Sequence, residues 1–582
     1  MKNKEIIFSN CLKTFTRDQD KAISPEETIK RFYQQIDKFD IEILSEVKRI
    51  DNGRLDIPVY FSVCTDEAQA LTGTKKQMGK GATPVQSKAS ACMELAERFS
   101  FFAFKADESN FITGDYAQMR AEGFPVLSIS YLLKSVEDKE LAPETLERLL
   151  EGIPMLWTWA TDTSNGGQVL LPFSWFYAIN EFNGPSAGNT IEEAALQGIS
   201  EIVERHVCSL INQFHLETPA IDLDSVVDPV ARELIEKFEK NNIEVYVNDF
   251  SLDTGLCTVG ALAIDRSTFP EQSEIVYTAG TTPGPEKALI RALTEIAQLA
   301  GDFNSGSNYV ASGLPKPLDM DEVRYLTTSS KKVTIQQMND LADDNMKVEL
   351  ENGIGALKEI DMDVFMIDVT HPQLKIPALY TIVPGAHFRE RSIRQDAGLF
   401  AAKLLNDTVD DLTLFEQKLS LMESVLPDSY YLSFYRGKSL FNQGDFAGAI
   451  SCFDTALGQN PEKEDLPYIY SYKGHCLKDL EEYDGAIQVL KRGCDEDDER
   501  PDLHNLLGFC YFKKEAFATA IKHFKRAVHL NPASAMDYAN IGVNYNRLGQ
   551  SNEAIEFFSL ALTLDPSLDF AREQLDTLTN AD

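Results

Sequence analysis

Apolar residues recur at helical spacing early in the chain. Ile29, Phe32 and Ile36 share one face, Ser24 stands before them as an N-cap, Pro25 suits the first helical position, and Glu27 is available for a capping box. The period then shortens. Residues 57–64 are rich in β-branched and aromatic side chains and predict a strand, as do 157–160, 169–173 and 275–280. Helical patterns run up to 146–150, and Asn183-Gly184 predicts a turn. Residues 281–285 read as a turn into a helix that carries Arg291, Glu295 and Gln298. Two apolar runs, 364–370 and 380–385, predict buried strands. Strands alternating with helices predict an α/β domain over residues 1–404.

Residues 405–427 are helical in pattern, fit neither neighbour, and predict a junction. From 428 the chain repeats itself, with glycines at 437, 474, 508 and 542 spaced 37, 34 and 34 residues apart. The third unit continues Tyr511, Ala520, Phe524, Ala527, Pro532, and the fourth Tyr545, Ala554, Phe558, Ala561, Pro566. Small residues let the two helices of a hairpin approach closely, and the proline ends the second helix. The pattern resembles tetratricopeptide repeats, which implies an all-α superhelix of about four units over 428–582, closed by a capping helix over 567–580. The second unit departs: Gly493 replaces the later alanine and Pro501 comes three residues late. A longer acidic loop over 495–499 is expected there, either a solvated turn or a contact for a basic peptide.

Charge on the predicted helices adds chemistry. Gly79-Lys80-Gly81-Ala82-Thr83 reads as a glycine-rich turn leading into a helix with Ser87, Ser90, Glu94, Glu97 and Arg98. Ser186-Ala187-Gly188-Asn189-Thr190 leads into Glu193, Gln197, Glu201, Glu204 and Arg205. In each copy two glutamates three apart share a helical face. One such helix is ordinary solvated surface; two copies with the same lead-in ask for a cation between them. Four carboxylates from two helices suit Mg²⁺, which takes oxygen ligands and is commonly shared with phosphates. Glycines and helix N-termini favour a nearby anion, with Lys80, Arg98 and Arg205 to offset its charge. The stretch from Gly73 to Lys80 is not a P-loop: five residues separate its glycines, and Gly81 stands where a Ser or Thr would bind Mg²⁺. Arg291 and Glu295 alone are an i,i+4 pair, and His206 reads as structural.

These motifs, in this order, resemble the YcaO family, from near Lys21 to about Arg389. The resemblance implies an ATP- and Mg²⁺-dependent enzyme that activates a backbone amide of a peptide or protein by O-phosphorylation. A Cys, Ser or Thr side chain then gives an azoline, and external sulfide a thioamide. It assigns Lys21, Thr28, Lys80, Ser90, Arg98, Ser186, Glu193, Gln197, Arg205 and Arg291 to ATP, and Glu94, Glu97, Glu201, Glu204 and Glu295 to Mg²⁺. It identifies no catalytic base. Azoline-forming members end in a proline-rich tail, whereas this chain ends Thr579-Asn580-Ala581-Asp582. The alternative within the family is an accessory factor for methylthiolation of a small-subunit ribosomal protein, whose second motif is similar to 186–190. The alternative outside it is a non-catalytic interaction scaffold built on the repeats.

Composition changes the picture in two ways. A net charge of −36 disfavours nucleic acid as a general partner. Nine cysteines, odd in number and without Cys-x-x-Cys, read as reduced core thiols of a cytoplasmic protein without a zinc or iron–sulfur cluster. No run of 18 apolar residues predicts a membrane span. A peptide substrate, a protein partner for the repeats, and a homodimer all fit this reading.

Overall fold

The computed structural model describes residues 5–580 apart from 40–41, 52, 272, 274, 301–316, 318 and 389–395. Arg389, at the end of the resembling stretch, and Ala581-Asp582 lie outside the described residues. The chain divides into two compact units, Met1–Ala397 and Gly398–Asp582. Helices Ala397–Thr408 and Leu412–Val425 lie over and ahead of the segment read as a junction. No helix among the described residues is long and apolar enough to cross a membrane.

The first unit contains strands β1 (Leu44–Arg49), β2 (Val59–Cys64), β3 (Lys76–Lys80), β4 (Ile112–Gly114), β5 (Met155–Asp162), β6 (Gln168–Pro172) and β7 (Pro185–Ala187). It continues with β8 (Ala220–Asp222), β9 (Glu244–Asp249), β10 (Cys257–Ile264), β11 (Val276–Thr282), β12 (Lys332–Thr334), β13 (Phe365–Asp368) and β14 (Ala378–Ile382). They form three sheets, ordered β1-β2-β3, β11-β10-β9-β8-β12 and β4-β5-β13-β14-β7, with β6 on β5. Every residue of β10 is buried, so it reads as a continuous apolar run without the alternation of a one-sided strand.

Three long helices close on these sheets. A first acidic helix, Pro84–Ala106, follows β3. A second, Ile191–Phe214, follows β7. An arginine-bearing helix, Pro285–Ala300, follows β11. Glycine sets the approach at two of these junctions. A Cβ on Gly79 would collide with the backbone of Ser87 and Ala91, and one on Gly280 would lie 2.5 Å from the Ala288 carbonyl oxygen. Gly79 and Lys80 are therefore strand residues, not part of the glycine turn expected from sequence, and Gly79 serves packing.

The N-terminal segment straps this arrangement together. Lys13 Nζ donates to Asp20 Oδ2 at 2.7 Å and to Glu349 Oε1 at 2.5 Å. The Cys11 N–H donates to Asn345 Oδ1 at 2.9 Å, and Ser9 donates its N–H to Glu192 Oε1 at 2.7 Å. Helix Pro25–Ile36 follows, capped by Ser24 accepting from the Glu27 N–H.

The second unit is all-helical. Four hairpins pair Tyr430–Asn442 with Phe446–Gly458, Leu466–Asp479 with Tyr483–Glu496, Pro501–Lys513 with Phe517–Leu530, and Ala535–Arg547 with Ser551–Leu564; Asp569–Thr579 packs on the last. Each repeat glycine faces a large apolar side chain of its hairpin, as Gly508 faces Phe524. The longer acidic loop expected over 495–499 is corrected: Asp495 and Glu496 are helical, and the linker is residues 497–500, as short as 531–534. Pro501 opens the next helix, and the extra length of the 37-residue spacing lies in linker 459–465.

Candidate functional site

The polar stripes of the three long helices meet in one cavity of about 300 Å³. Ser90, Glu94, Glu97 and Arg98 lie four, three and one residues apart, which puts them on one face of the first acidic helix. Glu193, Gln197, Glu201, Glu204 and Arg205 form the same stripe on the second. Arg291 and Glu295 face them from the third, and Lys80 at the end of β3, Lys21 of the strap and Thr28 line it as well. Both acidic helices start at the cavity under threonine caps: Thr83 accepts from the Gln86 N–H and Thr190 from the Glu193 N–H.

Ser186 is the exception among the residues expected at the site. Successive strand residues point to opposite faces, so in β7 Ala187 reaches the cavity while the Ser186 hydroxyl is buried beneath the second acidic helix beside Gly198.

Acidic and basic groups interleave. Glu204 Oε2 accepts from the Thr281 N–H at 3.0 Å and from Arg291 Nε at 3.2 Å, and Arg291 Nη1 donates to Gln197 Oε1 at 3.0 Å. Lys21 Nζ lies 3.3 Å from Glu193 Oε1, which also accepts from Asn189 Nδ2 at 3.0 Å. Lys80 pairs with Glu295, and Arg98 Nε lies 3.4 Å from Glu97 Oε1. Burial raises Glu94, against the nearby charges of Arg98 and Lys80. Burial also lifts Glu97 well above the usual carboxylate range; Arg98 opposes this, and Glu201 and Glu94 add to it. Burial and then Arg291 pull Lys80 down to about 7, while Glu204 and Glu94 oppose them.

This donor set fits a divalent cation with a phosphate ester. Buried carboxylates crowded together gain from a cation, and they supply the hard oxygen ligands Mg²⁺ takes. Arg205 Nε, on the cavity wall, is buried without a hydrogen-bond partner, a donor suited to an anionic oxygen.

The cavity also has lining residues absent from the assignment made on sequence: Gln19, Asn189, Cys208, Tyr277, Thr278 and Gln298. Cys208 extends the stripe of Glu201 and Glu204 by one turn, and Gln298 extends that of Arg291 and Glu295, so continuing the helical period finds both. Gln19 comes from irregular strap, where no periodicity points to it. His206 has a different role: buried, it accepts at Nδ1 from the His387 N–H at 3.0 Å and stacks on the His387 ring.

Comparison with known proteins agrees with this geometry. Residues 78–387 match the family model described as YcaO cyclodehydratase, ATP- and Mg²⁺-binding. Residues 440–510 and 538–568 match tetratricopeptide repeat models. An uncharacterized protein of Methanothermobacter thermautotrophicus is 27% identical over 392 residues, covering 62% of this chain and 94% of its own length. The ribosomal protein S12 methylthiotransferase accessory factor YcaO of Escherichia coli is 28% identical over 313 residues, half of each chain. Among solved structures, a heterocyclase in complex with substrate and cofactor aligns with a TM-score of 0.53 at 21% identity, over 66% of this chain and 55% of that one. YcaO from Methanopyrus kandleri, bound with AMPPCP and Mg²⁺, aligns with a TM-score of 0.50 at 22% identity, over 65% of this chain and 95% of that one. The family model spans more than half of the 582 residues, and the chain belongs to the YcaO family, with tetratricopeptide repeats following its YcaO domain.

Proposed function

We propose that this protein uses ATP and Mg²⁺ to phosphorylate a backbone amide oxygen of a peptide or protein, for replacement by a nucleophile in a post-translational modification such as thioamidation or azoline formation. The observation that carries this reading is the convergence of six carboxylates and five cationic side chains from five segments on one cavity. Bound ATP supplies the terminal phosphoryl group, and Mg²⁺ neutralises its oxygens. Glu94, Glu97, Glu201, Glu204 and Glu295 hold the metal. Lys21, Lys80, Arg98, Arg205 and Arg291 neutralise phosphate, with Thr28, Ser90, Gln197 and Glu193 bounding the nucleotide. Ser186, packed beneath the second acidic helix, does not line the cavity. The repeats, over about 428–582, bind a protein or peptide partner.

The test uses a substrate peptide whose amide oxygen carries a heavy isotope. Label in the released phosphate supports direct phosphorylation; unlabelled phosphate beside modified peptide, or AMP and pyrophosphate as the nucleotide products, refutes it. A second reading, an accessory factor for ribosomal protein methylthiolation, is supported by the match to the Escherichia coli factor. It predicts nucleotide binding without turnover of an isolated peptide. A repeat scaffold without chemistry predicts neither.

A further inference from the structure

The second and third repeats break the repeat pattern at two positions each, and the fold brings those four together. Where the other units have Leu457, Val528 and Leu562, the second has Cys494. Where they have Pro461, Pro532 and Pro566, it has Asp498. The adjoining third unit has His504 where the second and fourth have Tyr470 and Tyr538, and His523 where its neighbours have Val489 and Phe557.

Cys494 Sγ, a carboxylate oxygen of Asp498 and a ring nitrogen of His504 lie within 4.8 Å of one another. His504 Nε2 is 3.0 Å from the Asp498 carbonyl oxygen, a contact a metal ion would replace, and 3.2 Å from Asp498 Oδ1. Its other nitrogen, Nδ1, is 3.3 Å from His523 Nδ1, and the two rings stack. Arg526 Nη2 sits 3.2 Å from Asp498 Oδ2, so one carboxylate oxygen is engaged and the other faces His504. His504 is buried, and Asp498 lies on the exposed linker.

We propose that the junction of the second and third repeats is a binding site for a Zn²⁺-class transition-metal ion, held by Cys494 Sγ, Asp498 and His504 Nε2. Sulfur, oxygen and imidazole nitrogen in one set suit Zn²⁺ and exclude Mg²⁺ as the preferred occupant. Thiolate and carboxylate together balance the charge of a divalent ion. Ligand atoms around a tetrahedral ion with bonds of about 2.0–2.3 Å stand roughly 3.5 Å apart. Closing the present spacing therefore asks about 1 Å of the linker that carries Asp498. With Nε2 on the metal, Nδ1–H donates to His523, which makes His523 a positioning residue that fixes ring and tautomer. Three protein ligands leave a fourth position open. The site is independent of the nucleotide reading, because it lies wholly within the repeats. Sequence spacing misses it because its ligands come from two helices and a linker rather than from a Cys-x-x-Cys pair.

The full-length protein, stripped with a chelator and freed of Mg²⁺ and nucleotide, is titrated with Co²⁺ alone. One equivalent is expected to give tetrahedral ligand-field bands with a thiolate-to-cobalt charge-transfer band, both bleached by one equivalent of Zn²⁺. Cys494→Ser should abolish the charge-transfer band, and Glu97→Gln should leave it. His523→Phe should weaken the ion about 10- to 100-fold with the band retained. Absence of a thiolate band at one equivalent, its persistence in Cys494→Ser, or unchanged affinity in His504→Gln overturns the proposal. Circular dichroism of each variant separates loss of metal from loss of fold.

Discussion

Glu97→Gln and Glu204→Gln are expected to move the metal-free protein in opposite directions while costing it the same ligand. Glu204 accepts two hydrogen bonds, from the Thr281 N–H and from Arg291. Both go to Oε2, so an amide that keeps its oxygen there keeps both contacts and strips the charge from them. Turning two charge-assisted bonds into neutral ones in a buried setting costs about 2–3 kcal/mol. Glu97 is crowded by Glu201 and Glu94 as well as buried, so neutralising it relieves the folded state. Unfolding entropy near 2.1 cal/mol/K per residue gives the 397-residue first unit about 0.8 kcal/mol/K, so Glu204→Gln should lower its Tm by roughly 3 °C. Glu97→Gln should raise it. ATP with Mg²⁺ at a hundred times its Kd adds about 2.7 kcal/mol to the parent, a similar shift upward, and little to either variant. All three tryptophans, Trp157, Trp159 and Trp175, lie in the first unit, so their fluorescence follows it without signal from the repeats. A metal-free Glu97→Gln protein less stable than its parent refutes the crowding argument. Full nucleotide stabilisation in both variants refutes the metal site.

Arg205→Met should leave the nucleotide-free melt within about 0.5 kcal/mol, since Nε has no partner to lose, yet weaken nucleotide binding by roughly 10- to 100-fold in titration calorimetry. Gly280→Val should cost about 1–3 kcal/mol in denaturant unfolding, because the Ala288 carbonyl blocks a side chain. His206 is pulled down to about 4 by burial and by His387, so the unfolded chain binds its proton first. Stability should therefore fall by about 3 kcal/mol as pH drops from about 6.5 to 4, and His206→Gln should flatten that slope. A chain ending at Ala397 should fold and keep its nucleotide-dependent stabilisation, which the same fluorescence melts can check.

What the sequence disclosed depended on periodicity. The stripes of Glu94 and Glu201 were legible because a helix repeats its face every three or four residues, and the repeat glycines because one packing problem recurs. Where the contact is between elements, the signal fades. Ser186 and Ala187 are adjacent in one motif, and only the strand direction of β7 decides which reaches the cavity. Gly79 looked like a phosphate-loop glycine because composition is the same for a turn and for a strand pressed on a helix. The linker at 497–500 was misjudged because a displaced proline suggests an insertion, whereas Pro501 had changed roles from ending one helix to starting the next. Gln19 left no trace, since irregular chain has no period to extend.

The strap has a consequence in time as well as in space. Lys13 is held by Glu349, 336 residues further along, and Cys11 by Asn345, 334 residues further along. The strap thus waits at the ribosome for partners synthesised long after it. At about 5–20 residues per second, that interval is tens of seconds. During it the helices carrying Glu94 and Glu201 can form and the strap can reach Glu192 and Glu193, but its anchors at Asn345 and Glu349 are missing. The nucleotide site is therefore among the last parts of its unit to be fixed, and an incomplete chain holds the segment that carries Lys21 without those anchors.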